Sequence, residues 1–147
     1  MLSLSTARRL KAAGLAWTPG LHDLFAIPDR DMDDRVFVIS DVSVDIELLK
    51  DQSIVTFNGT SEWAMDYEVM SDVVWMPTEE QLRQQLEQRL APGPPALKLT
   101  RAPDGYWCEI QWEGRPLAFR DANANEAYAA ALRYVLDEIQ SRGLSLA

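Results

Sequence analysis

The sequence predicts an α+β fold, antiparallel sheets packed with helices, whose second half runs helix, three-stranded meander, helix. Three observations predict it. Apolar residues recur at helical spacing from Tyr128 to Ile139. Between Tyr106 and Trp112 the pattern switches to strict alternation, the period of a half-buried strand. Two turn signals, Pro103-Asp104-Gly105 and Glu113-Gly114, bracket that strand at hairpin spacing. Neither an amphipathic helix nor a one-sided sheet can bury its apolar face alone, so the last helix is expected on the meander.

Along the chain, the first helix is expected over about Ser5–Ala13, capped by Ser3 or Ser5 and ended by Gly14. Trp17-Thr18-Pro19-Gly20 is turn chemistry. Leu24–Ile27 and Val36–Ile39 read as short strands joined by an acidic loop, and Val44, Ile46 and Leu48 alternate with Ser43, Asp45 and Glu47 as a third. Ile54–Phe57 reads as a fourth. Trp63, Tyr67, Met70 and Val74 fall at helical spacing, so 60–76 is read as a short helix followed by a strand. Pro77-Thr78 opens the next helix, with Thr78 and Gln81 as a capping box and Leu82, Leu86 and Leu90 as its stripe. In the meander, Leu97, Leu99, Cys108, Ile110, Leu117 and Phe119 share the inward face. Asn123 with Glu126 is read as a capping-box variant for the last helix, and Gly143 as its C′ residue. A length of 147 residues suits a single domain, with a candidate sub-domain joint at 91–95.

Composition narrows the function classes. The net charge is −9, and the acidic excess sits in the middle: residues 23–80 carry fifteen acidic and three basic side chains, residues 81–147 eight of each. An acidic surface repels a phosphate backbone, so nucleic acid is not an expected partner. An acidic mimic of nucleic acid is disfavoured because the second half is charge-neutral. No apolar run reaches the ~20 residues that span a bilayer, and the opening MLSLSTARRLKAAG lacks the continuous apolar core of a secretory signal. With one cysteine, the expected compartment is the cytoplasm.

The chemistry-bearing residues are few. One histidine, His22, and one cysteine, Cys108, cannot build a His/Cys zinc centre. Neither a Walker-type phosphate loop nor a dinucleotide fingerprint is present. Cys108 falls on the inward face, where burial raises a thiol pKa and suppresses nucleophilicity. His22 stands next to Asp23 in a turn and reads as a loop residue. Asp29, Asp31, Asp33 and Asp34 crowd one loop and offer oxygen ligands for Mg²⁺ or Ca²⁺. They begin an EF-hand-like spacing, but Asp34 stands where glycine belongs and Ser40 where the closing glutamate belongs. A solvated hairpin loop is the competing reading. Trp107, with Glu109 and Gln111, alternates onto the face opposite Cys108; that face is either covered by the N-terminal half, the preferred reading, or open to a partner.

The helix–meander–helix order over 78–142 resembles the double-stranded-RNA-binding domain in topology. That family grips phosphates with a lysine-rich start to its last helix, whereas 121–126 here is Asp-Ala-Asn-Ala-Asn-Glu. Trp75-Met76-Pro77-Thr78-Glu79-Glu80-Gln81-Leu82-Arg83, Gly105-Tyr106-Trp107-Cys108-Glu109, Glu126-Ala127-Tyr128 and Phe25-Ala26-Ile27-Pro28 resemble a group of small uncharacterised bacterial and phage-associated proteins. Some of these carry a pilus-assembly label; the resemblance implies no catalytic residues. The expectation is therefore a non-catalytic protein that binds another protein or itself. The alternative is a divalent-metal-dependent enzyme or metal-binding regulator built on the 29–34 loop.

Overall fold

The computed structural model describes residues 1–28, 35–39, 44–49, 52–57, 67–69, 73–91 and 96–143, the strands within 44–69 through their backbone pairing. The fold is α+β. The chain divides into two compact units, one made of Met1–Ala16 with Pro77–Ala147 and the other of Trp17–Met76. Residues 92–95, within the candidate joint, lie outside the described residues.

In the first unit, helix α1 (Leu4–Ala12) starts where the Ser3 hydroxyl accepts from the Thr6 N–H. Later in the chain, the second helix of this unit (Glu79–Arg89) starts at Thr78. Its capping box forms as expected: Gln81 N–H donates to Thr78 Oγ1, and Thr78 N–H to Gln81 Oε1. Leu82 and Leu86 are fully buried on its inward stripe.

The second unit holds two small antiparallel sheets. In one, β1 (Leu24–Ala26) is central between β2 (Phe37–Val38) and the strand Val74–Trp75. In the other, β3 (Val44–Leu49) pairs with β4 (Gln52–Phe57), which pairs with β5 (Tyr67–Val69). Tyr67–Val69 corrects the helix expected near 60–76, being strand with Thr56 opposite Tyr67, whereas the strand expected to follow that helix is present at Val74–Trp75. Aromatic and β-branched residues satisfy a strand as readily as a helix, and four residues at helical spacing could not separate the two. Residues 60–66 lie outside the described residues. The strand Val74–Trp75 is β6, and the helix Glu79–Arg89 is α2.

The core of the first sheet is Phe25, Ile27, Ile39 and Val73, with Trp17 and Phe37 against it. Trp17 stacks on Trp75 at 6.4 Å between ring centroids. Asp23, only 8 % exposed, organises the entry to β1: its Oδ2 accepts from Trp17 Nε1 and from Gly20 N–H, each at 2.9 Å. His22 beside it is exposed, has a left-handed φ of 71°, and gives its backbone N–H to Ile39 O.

The meander of the first unit is β7 (Leu97–Ala102), β8 (Gly105–Trp112) and β9 (Arg115–Asp121), in that spatial order. Two-residue turns join them, Pro103–Asp104 and Glu113–Gly114. Glu113 and Gly114 both have positive φ, 53° and 76°, as the mirror-image hairpin turn requires. Gly105 is needed on two counts: its φ of 136° is positive, and a Cβ there would lie 2.6 Å from the Asp121 carbonyl oxygen. Helix α3 (Ala124–Ser141) packs on β8 and β9, burying Tyr128, Ala131, Leu132, Val135, Leu136 and Ile139. Both α1 and α2 pack against α3.

The N-terminus of α3 departs from expectation. The Asn123 side chain accepts from Asn125 N–H, but Glu126 does not close a capping box. It reaches α1 instead: Oε1 accepts from Ser3 N–H at 2.9 Å and Oε2 from the Thr6 hydroxyl at 2.7 Å. One carboxylate thus serves the positive end of another helix, where unpaired N–H groups favour an anion.

Candidate interaction face

Strand alternation sorts the meander into two faces. Inward lie Cys108, fully buried, with Ile110 and Trp112. Burial, and then the charge of Glu109, push the Cys108 thiol up to about 12, so it stays protonated and unreactive at neutral pH. Burial likewise raises the Tyr128 phenol and lowers Arg89.

Outward, Trp107, Glu109 and Gln111 project from β8 and all three are exposed, Trp107 to 36 %. The register places each in a cross-strand row. Trp107 lies between Thr100 and Arg120, Glu109 between Lys98 and Ala118, and Gln111 opposite Pro116. The Arg120 guanidinium sits over the Trp107 ring at 5.8 Å and pairs with Asp104 Oδ2 at 2.8 Å. Both partners of that ion pair are more than half exposed, so it adds little stability. Its effect is geometric: it fixes the cation that flanks the indole, and such a contact contributes on the order of 0.5–1 kcal/mol at an exposed site.

Beside Trp107 the face is hollow. Ala118 is short and Pro116 is rigid, and with Lys98, Glu109 and Gln111 they line a depression of about 270 Å³. The face combines a partly exposed aromatic, Trp107, with a recess one row away. Two basic (Lys98, Arg120) and two acidic (Asp104, Glu109) side chains surround them.

Sequence reading brought Trp107, Glu109 and Gln111 to this face but missed Arg120, Lys98 and Ala118. The signal was present: once both two-residue turns are placed, the register follows by counting. Asp29, Asp31, Asp33 and Asp34 lie outside the described residues. Among the described residues no three His, Cys, Asp or Glu side chains gather as a metal site, and no helix is long and apolar enough to cross a membrane. Comparison with protein-family models, curated proteins and solved structures finds no match to this chain.

Proposed function

We propose that this chain is a non-catalytic interaction protein of the cytoplasm that engages a protein partner through the outward face of its meander. One observation carries the reading: Trp107 stands exposed beside a recess, on a face where alternation leaves every outward β8 side chain exposed. Aromatic residues are enriched at interface centres because they bury large area at low entropic cost, and a flanking arginine that holds the ring lowers that cost further. The buried, protonated Cys108 and the loop position of His22 support a non-catalytic role.

The test is photo-crosslinking in the producing cell, with a benzophenone amino acid at position 107 and, as control, at the exposed Asp137 on α3. Discrete protein adducts from position 107 and none from 137 are expected. Equal yields, or adducts from 137 alone, would count against the reading.

A further inference from the structure

We infer that the partner seated on this face is a second copy of the chain, docked face to face with Trp107 of each copy in the recess of the other. The inference rests on the proposed interaction role of the meander face. Three observations point to it. First, knob and recess occur on one face in adjacent rows: Trp107 stands in the Thr100–Trp107–Arg120 row, and the recess opens beside the Lys98–Glu109–Ala118 row. Rows two residues apart are separated by roughly 6.6 Å. A two-fold axis in the plane of the face, crossing the strands between the rows, exchanges them. It puts each Trp107 over the other copy's Glu109 row, as an isologous contact demands.

Second, the sizes agree. A cavity of about 150 Å³ admits benzene, so a recess of about 270 Å³ takes the larger indole ring.

Third, the charges are self-complementary. The same exchange carries Arg120, which flanks Trp107, over Ala118 of the second copy and hence beside its Glu109. Opposite charges meet twice, once on each side of the axis. The face itself holds two charges of each sign, so its own charges do not oppose the pairing of two copies.

A three-stranded face offers on the order of 300 Å² per copy, well under the ~800 Å² of a stable interface, so the dimer is a transient one. Sedimentation equilibrium of the full chain from about 10 µM to 1 mM, a range suited to transient contacts, reads it directly. The wild type is expected to dimerise within this range. Trp107→Ala, and Ala118→Gln, which fills the recess from an exposed position, should each weaken association at least tenfold with unchanged circular dichroism. Glu109→Arg and Arg120→Glu should each be monomeric alone and restore the dimer when mixed, because each then meets an opposite charge.

A wild type that stays monomeric at 1 mM overturns the second copy as occupant, while heterologous adducts from position 107 would still uphold the face. A dimer indifferent to Trp107→Ala and Ala118→Gln overturns both. A dimer lost in those two variants but not rescued by the charge mixture overturns the proposed two-fold docking.

Discussion

Residues 17–76 carry thirteen acidic and three basic side chains, whereas the unit of residues 1–16 and 77–147 carries ten and eleven. The two units of one chain thus differ by eleven charges, −10 against +1. They differ also in how they are held. The charge-neutral unit owes its stability to one long helix on a meander, with eight α3 residues buried. The described part of the acidic unit centres on an aromatic cluster and a single buried carboxylate. The lesson is that the charge excess and the candidate interaction face belong to different units. The net charge of the whole chain says little about what the meander face can bind.

The sharpest way to break this contrast is through the α3 core. Leu132→Ala should cost about 3–4 kcal/mol, because Leu132 is fully buried and the truncation leaves a cavity. Denaturant unfolding followed at α3 amides by hydrogen exchange measures it; a loss below about 1 kcal/mol would mean the helix is not the keystone of its unit.

Alkaline pH probes the same core. The folded Cys108 thiol is raised to about 12, so the unfolded chain releases its proton first. Stability is full below the unfolded thiol pKa of about 8.5 and falls as pH rises toward 12, by about 1 kcal/mol per pH unit for this one group. Tyr128 acts in the same direction. Urea midpoints at pH 8 and pH 10 should differ more for the wild type than for Cys108→Ala; equal differences would refute the assignment.

In the acidic unit, Asp23→Ala strips the acceptor from Trp17 Nε1 and Gly20 N–H and should cost about 1–3 kcal/mol. The Ile39 amide, which donates to Asp23 O, reports it by hydrogen exchange. Protection there that does not change would show the carboxylate to be dispensable. Glu126→Ala should cost about 1 kcal/mol, by a helix-capping argument, and loosen α1 amides more than those of α2, since Ser3 and Thr6 lose their acceptor. The smallest effect is that of salt. Raising ionic strength from about 10 mM to 0.5 M shortens the Debye length and should stabilise Phe25 and Ile39 by a few tenths of a kcal/mol, leaving Leu132 unmoved.

Much of the fold is legible in the sequence where signals are local. The Thr78–Gln81 capping box, the Glu113-Gly114 turn and the α3 periodicity each lie within a few residues. The role of Glu126 is not legible locally, because its partners, Ser3 and Thr6, lie 123 and 120 residues away. Asp23 was legible only as the neighbour of His22, since its burial depends on Trp17 folding back over it. The meander face was half legible: alternation placed Trp107, Glu109 and Gln111 on the face opposite Cys108, but the Arg120 cation and the Ala118 recess needed the cross-strand register.

An interaction face at Trp107 is covered when the protein works. Hydroxyl-radical footprinting in the producing cell and on dilute purified protein tests it most directly, with exposed Met1 as the internal standard. Trp107 is expected to oxidise several-fold more slowly in the cell while Met1 oxidises equally in both. Equal oxidation of Trp107 in the two settings would contradict it.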